Sequence, residues 1–114
     1  MKYLLLAYDD AGMLGAMPPG ERAALAEACA TNDQALRQSG RLLVAERLQG
    51  CATEATVCVQ GGAVALHDGP CAAADAQLAE LFVIDARDLN EAIQIAAQMP
   101  QNRGGPIEIR PVSA

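Results

Sequence analysis

The sequence contains no tryptophan, and Tyr3, Tyr8 and Phe82 are its only aromatic residues in 114 positions. A core without large rings has to be built from Leu, Ile, Val and Ala, and an apolar fraction of 52% supplies enough of them for a globular chain. A chain of this length fits one domain, so we expect a single domain over residues 1–114.

Basic residues are also scarce, because 8 Lys and Arg stand against 14 Asp and Glu and the net charge is −6. Nucleic-acid binding requires clustered cations and stacking rings, so we expect no nucleic-acid partner. No apolar run approaches the roughly 18 residues of a membrane span. The segment "MKYLLLAY" is too short for a signal peptide and is closed by Asp9 and Asp10. We therefore expect a cytoplasmic protein without membrane contact.

Metal and cofactor motifs are missing. The four cysteines have no C-x-x-C spacing and the chain has one histidine, so a zinc site is not expected and the thiols are expected to be reduced. Asp9 and Asp10 alternate in direction, which argues against a shared metal ion. Gly61-Gly62 and Gly104-Gly105 do not open a helix, as a phosphate loop would. We expect no cofactor.

What the sequence does contain is an alternation of apolar strands and helical segments. Two segments, "KYLLLAY" and "LFVI", are apolar at successive positions, which is typical of central strands. In the hairpin, Gly61-Gly62 suits a two-residue turn and places Val57, Val59, Val64, Leu66 and Asp68 on one face. We expect a strand Lys2–Tyr8, a helix Glu21–Ser39, a strand Arg41–Gln49, a hairpin Ala55–Asp68, a strand Leu81–Ile84, a helix from Asp88 to Pro100, and a strand Pro106–Val112.

Side-chain periodicity predicts which helix faces are buried. In the first helix the predicted apolar stripe consists of Leu25, Ala28, Cys29 and Leu36. In the second helix, Asp88 and Glu91 have the spacing of a capping box. Its predicted apolar stripe consists of Leu89, Ala92, Ile93 and Ala96.

This order predicts an α+β fold, the ferredoxin-like split β-α-β plan with an inserted hairpin. The two strands that plan places in the middle are the two that are apolar on both faces. Two helices cover only one face of such a sheet. We therefore expect the other face to be covered by a second copy, which gives a homodimer.

Five segments together resemble the YCII-related proteins, in the branch that carries a DGPF motif: "KYLLLAY", "PPGERAAL", "AERLQ", "VALHDGP" and "PQNRGGPIEIRPV". The resemblance implies a dimeric α+β barrel with a cleft in each protomer. It also implies an acid–base role for the aspartate of the motif, here Asp68, which wider relatives pair with a histidine. Members of this branch are found in bacteria beside extracytoplasmic-function sigma factors.

This chain departs from the family pattern at three places, one of which is that Phe82 stands alone where an aromatic pair is expected. Cys71 stands where the motif has Phe, and "AAADA" replaces the charged segment that commonly follows. Cys71 could act as a nucleophile or simply replace the ring as a small apolar residue.

Asp68 and His67 are the candidate catalytic residues. A carboxyl group at a strand end beside an apolar cleft has a pKa suited to proton transfer, whereas Asp-Gly-Pro is also an ordinary turn. His67 has a suitable pKa range, but neighbouring strand residues point to opposite faces, so a surface position is the alternative.

Arg110, Glu46 and Tyr8 are the candidate substrate-binding residues. If Ile107 and Ile109 face the helices, Arg110 faces the cleft or the partner sheet and could bind a carboxylate or form an ion pair. Of the adjacent Glu46 and Arg47, one has to face inward.

The function that we expect is that of a small dimeric enzyme or ligand-binding protein in which Asp68 is the acid or base of a cofactor-free reaction. The alternative is a non-catalytic module linked to sigma-factor-dependent transcription.

Overall fold

The computed structural model describes residues 1–50, 54–70 and 76–114. Six strands and three α-helices are present among them: β1 Lys2–Asp10, α1 Ala11–Gly15, α2 Pro19–Gln38, β2 Leu42–Arg47, β3 Ala55–Gln60, β4 Ala63–Asp68, β5 Ala76–Asp85, α3 Leu89–Gln98 and β6 Ile107–Pro111, with a 3₁₀ turn at Pro100–Arg103. No helix in these ranges is long and apolar enough to cross a membrane.

Four strands form an antiparallel sheet in the order β2-β5-β1-β6. With the hairpin set aside, this is the strand order of the ferredoxin-like plan, and the predicted fold class is confirmed. The two segments that are apolar on successive positions, β1 and β5, lie in the middle as predicted. β6 lies at an edge, where its flanking prolines are tolerated.

The helices α2 and α3 both lie on one face of the sheet, which we call the helix face. Alternation along β1 directs Tyr3, Leu5 and Ala7 to that face, where all three are buried. Phe82 and Ile84 of β5 join them in the core. On the opposite side, which we call the open face, Leu4 and Leu6 are only partly buried.

The hairpin β3–β4 forms a separate two-stranded sheet. Gly61 and Gly62 have φ of 56° and 80°, the left-handed conformation that the turn requires. The predicted register is confirmed, since Val57 lies opposite Leu66 and Val59 opposite Val64. Every residue of β4 is exposed. This extension explains why the radius of gyration is 16.0 Å, above the roughly 13 Å of a compact domain of this length.

The helix α3 differs from its predicted packing. Leu89 and Ile93 are 46% and 47% exposed, whereas Ala92 and Ala96 are buried as predicted. The helix is rotated so that its small alanines contact the sheet and Glu91 is buried beside them, where it forms ion pairs with Arg41 and Arg87. The prediction that Leu89 and Ile93 belong to the buried stripe is therefore wrong. Asp88 does cap the helix, accepting a hydrogen bond from the Glu91 amide at 2.9 Å.

Two glycines let the chain before β6 run directly against the end of β1. The Tyr8 amide donates to the Pro106 carbonyl at 3.0 Å and the Asp10 amide donates to the Gly104 carbonyl at 2.8 Å. A Cβ atom on Gly105 would overlap the Tyr8 carbonyl group. This close approach fixes the end of β1 and, with it, the rim of the cavity described below.

The substitution Gly105→Ala tests this contact. The added methyl group has no room beside backbone atoms, so we expect a loss of about 1–3 kcal/mol or more in the free energy of unfolding. Gly20→Ala is the control, because Gly20 lies in α2 with no atom near its potential Cβ. We expect that change to be neutral or to stabilise by up to about 1 kcal/mol. Urea denaturation measures both, and equal stabilities of the two variants would contradict this account.

Candidate functional site

A cavity of about 470 Å³ lies between α2 and the helix face of the sheet. This volume falls within the usual range of small-molecule sites. Three parts of the chain enclose the cavity: α2 on one side, the ends of β1 and β2 with the middle of β5 on the other, and α1 with the 3₁₀ turn at the rim.

A change in side-chain size across the helix face creates this cavity. One cross-strand row contains Ala45, Phe82 and Leu5, and it is filled by the buried Phe82 ring. The next row contains Arg47, Glu80 and Ala7. Ala7 is too small to reach the helix, and a charged pair occupies the rest of the row.

Several residues of α2 that line the cavity are also small, namely Ala26, Cys29 and Ala30, although the larger Arg22 and Leu25 border it as well. Arg22, Ala26 and Ala30 follow one another at spacings of four, and Cys29 and Asp33 continue on the same side of the helix. Alanine side chains leave space where leucines would fill it. The cavity thus results from small side chains on both of its walls.

Glu80 is the most enclosed charged group of the cavity floor, with a side chain that is 15% exposed. Its Oε1 accepts a hydrogen bond from Arg47 at 3.1 Å. Burial raises the pKa of the Glu80 carboxyl, the charges of Asp33 and Asp9 raise it further, and Arg47 partly offsets the shift. A carboxyl group whose ionised form is disfavoured in this way is suited to proton transfer.

Asp33 and Gln101 form the polar end of the cavity. Gln101 Nε2 donates to Asp33 Oδ1 at 3.3 Å. The pKa of Asp33 is raised by burial, against the lowering effect of the Gln101 hydrogen bond and the Arg37 charge. Gln101 itself is 7% exposed, and its Oε1 has no hydrogen-bond partner in the described part of the chain.

Cys29 lies on α2, four residues before Asp33, and lines the same cavity. Burial raises the pKa of its thiol to about 11, with further contributions from Glu80 and Asp33. The thiol is therefore protonated near neutral pH and is a poor nucleophile. Among the described residues no group of three or more His, Cys, Asp or Glu side chains is arranged to hold a metal ion.

The predicted catalytic residues lie on the hairpin, outside this cavity. Asp68 is exposed at the end of β4, opposite Ala55. His67 is exposed on the other face of the hairpin, and its Nε2 is 3.3 Å from the Pro70 carbonyl oxygen. The two side chains of this adjacent pair therefore point to opposite faces of the hairpin. Cys71 lies outside the described residues.

Of the predicted substrate-binding residues, Arg110 and Glu46 lie on the open face, whereas Tyr8 borders the cavity and also contacts Glu108 of the open face. Ile107 and Ile109 pack against the core, so Arg110 points to the open face. Tyr8 donates a hydrogen bond from its hydroxyl to Glu108 Oε1 at 3.0 Å, and Arg110 Nε lies 3.8 Å from Glu108 Oε2. Glu46 lies on β2, three strands and so roughly 14 Å from β6.

Of the adjacent pair in β2, Arg47 is the residue that faces the cavity. The prediction left this choice open. Glu80, Asp33 and Gln101 are not among the site residues predicted from the sequence. Glu80 lies two residues before Phe82 and shares its face, but it was outside the predicted strand, which began at Leu81. Asp33 lies four residues after Cys29 on the predicted stripe, so helical periodicity alone places it there.

The family model of the YCII-related domain matches residues 1–114. None of the curated proteins matches this chain. Similar solved structures include 5-chloro-2-hydroxyhydroquinone dehydrochlorinase (TftG) from Burkholderia phenoliruptrix AC1100 in complex with 2,5-dihydroxybenzoquinone. That structure has a TM-score of 0.60 and 12% sequence identity, and the match covers 99% of this chain and 94% of the other. At this identity the likeness concerns the fold.

The titration of Glu80 tests the electrostatics of the cavity. We expect its carboxyl group to titrate above the ordinary value of 4.5 in carboxyl-detected NMR. Arg47→Ala removes the cation that favours ionisation, so it is expected to raise the midpoint further. Asp33→Asn removes a repelling charge and is expected to lower it.

The same shift has a consequence for stability. Because the folded pKa is raised, the folded protein holds this proton to higher pH than the unfolded chain does. As the pH rises from the ordinary carboxyl pKa through the raised pKa of the folded protein, ionisation of Glu80 therefore lowers the free energy of unfolding. In Glu80→Gln this part of the pH dependence is expected to disappear. A Glu80 midpoint at or below 4.5 would contradict the proposed burial.

Proposed function

This chain belongs to the YCII-related family, and we propose that it binds a small molecule in the cavity between α2 and the sheet and acts on it by cofactor-free proton transfer. The observation that carries this proposal is the mostly buried Glu80 carboxyl in the cavity floor. Its raised pKa brings it closer to the range in which a side chain both accepts and returns a proton.

Arg47 has a positioning role in this proposal. Its guanidinium binds Oε1 of Glu80, and no described residue donates to Oε2. That second oxygen is therefore available to a substrate. Because the Arg47 side chain is 69% exposed, it holds the carboxyl from the solvent side while the apolar wall of α2 limits water on the other.

The solved structure of similar fold supports this class of reaction. Its name describes the loss of hydrogen chloride from a chlorinated hydroxyhydroquinone. In such an elimination a base removes a proton and chloride departs with the electron pair of its bond. A carboxylate in a mostly apolar cavity is able to serve as that base without a metal or a redox cofactor.

Asp68 enters the proposal through assembly. It shares one face of the hairpin with four exposed apolar residues, Val57, Val59, Val64 and Leu66. A partner that covered this face would enclose the Asp68 carboxyl as well. The acid–base role that the DGPF resemblance implies for Asp68 therefore depends on a second subunit, whereas the role of Glu80 does not. We propose that the chain belongs to the DGPF branch because its segment His67–Pro70 resembles the motif of that branch.

We further propose a homodimer formed through the open face. Its two cross-strand rows have apolar centres, Leu81 with Leu6 and Val83 with Leu4. Charged side chains lie toward the edges: Glu46 on β2, and Glu108 and Arg110 on β6. An apolar centre with a polar rim is the usual composition of a protein interface. In this arrangement Arg110 and Glu46 lie at or near the interface, so a substrate role for them requires a site between the subunits. Tyr8 also borders the cavity, so its substrate role does not depend on the partner.

The alternative function, a non-catalytic module that works with sigma-factor-dependent transcription, is favoured by one feature. The apolar face of the hairpin is 60–69% exposed at each of its four aliphatic residues, which makes it suitable for contact with another protein. On this alternative, substitutions on the hairpin abolish function and substitutions in the cavity do not.

Blocking the cavity tests the leading proposal. Ala26→Phe places a ring in the middle of the α2 wall, whereas Ala24→Phe adds the same ring on the far side of the helix. In a fragment screen by ligand-observed NMR, we expect Ala26→Phe to lose the fragments that the unmodified protein and Ala24→Phe retain. Glu80→Gln is expected to keep fragment binding and to lower any turnover by at least about 100-fold. Equal binding by both Phe variants would contradict the assignment of the cavity.

The homodimer has its own test. Sedimentation of the unmodified protein is expected to give twice the chain mass of 11.8 kDa. Leu81→Lys puts a charge in the centre of the open face and is expected to shift the protein to monomer. Leu89→Lys, on the exposed side of α3, is expected to leave the dimer intact. A monomeric unmodified protein at working concentration would rule out the proposed assembly.

A further inference from the structure

We infer that the end of the cavity formed by Asp33 and Gln101 binds the ammonium group of a primary amine. This inference rests on the proposed small-molecule function and specifies the chemical class of the ligand. Two independent observations support it, one from hydrogen bonding and one from charge.

The first observation is the unsatisfied acceptor on Gln101. Its side chain lines the cavity and is 7% exposed, and its Oε1 has no hydrogen-bond partner in the described ranges. The amide orientation is set by the hydrogen bond that Nε2 donates to Asp33. A buried acceptor without a donor is unfavourable, so a ligand that brings an N–H or O–H group to this point recovers that energy.

The second observation is the charge of Asp33. Its carboxyl is partly buried, and within the described ranges no cation lies within ion-pair distance of it. Arg47 is engaged by Glu80. Arg37, one helical turn along α2, acts on Asp33 only at longer range. Arg22 lines the same cavity 11 residues before Asp33, roughly 16 Å along the helix axis.

These observations together favour a cation over a neutral or anionic donor. An ammonium group has three donors and a positive charge. One donor suits Asp33, and another suits Gln101 Oε1, a buried atom that the ligand reaches once the amide turns toward the cavity. The positive charge also offsets the negative charge of Asp33, which raises the pKa of Glu80. A hydroxyl group supplies a donor without that charge. A carboxylate adds a third negative group to the site.

The experiment compares three probes that share one ring and differ in the head group: benzylamine, benzyl alcohol and benzoate. Binding to the full chain is measured at neutral pH by isothermal titration and by the shift in melting temperature. We expect benzylamine to bind at least tenfold more tightly than either other probe. Preference for benzyl alcohol or benzoate, or equal binding of all three, overturns the inference.

Variants locate the head group. Asp33→Asn is expected to weaken benzylamine about 10- to 100-fold, as loss of a charged hydrogen-bond partner does, and to leave benzyl alcohol nearly unchanged. Glu27→Gln makes the same charge change on an exposed position of α2 and is expected to have no effect. Gln101→Met removes the unsatisfied acceptor, and it is expected to weaken benzylamine several-fold while the protein stays folded. An unchanged preference for benzylamine in both Asp33→Asn and Gln101→Met overturns the inference.

The outcomes separate this inference from the proposed function. If fragments bind the cavity but the ammonium preference is absent, the ligand class is wrong and small-molecule binding stands. If no probe binds, the ammonium inference fails, and the pair Ala26→Phe and Ala24→Phe decides independently whether the cavity is a site for other molecules.

Discussion

The site depends on a single change in side-chain size along the helix face of the sheet. Where Phe82 and Leu5 face the helices the space is filled, and one row further on Ala7 and Glu80 leave it open. α2 does not compensate, because it presents alanines at that level. Interiors are otherwise packed at high density, so a gap bounded by small residues on both walls is a property of the sequence and not of loose folding.

The same gap sets the electrostatics. A carboxyl group at the edge of a core has lost much of its water, and Glu80 retains one hydrogen-bonded cation, Arg47, on its exposed side. Asp33 faces it from α2 without an ion-pair partner among the described residues, and each acid makes ionisation of nearby groups less favourable. Enclosure thus shifts the pKa of Glu80 toward the range suited to proton transfer. It also leaves the Asp33 carboxyl without a cation at ion-pair distance in the described ranges, so a ligand with hydrogen-bond donors and positive charge would be stabilised there.

Most of the fold could be predicted from the sequence, because β1 and β5 are apolar on both faces and Gly61-Gly62 marks the hairpin turn. The cavity could not. Its acids come from three separate segments, and their proximity depends on cross-strand register and on the level at which α2 crosses the sheet. The Asp-Gly-Pro motif drew attention to Asp68 because it is local and recognisable. The rotation of α3 also could not be predicted, because it places the charged Glu91 on the buried side of the helix. Glu91 is tolerated there because it forms ion pairs with Arg41 and Arg87.

The most direct test of the claim that this cavity binds a ligand is a titration of the protein with a fragment that binds to it, in which the changes in amide chemical shift are mapped onto the structure. The account predicts that the largest changes fall on Ala7, Glu80, Ala30 and Gln101, on both walls of the cavity. Changes confined to the hairpin near Asp68, or to the open face of the sheet near Arg110, would contradict it and would place the site between subunits instead.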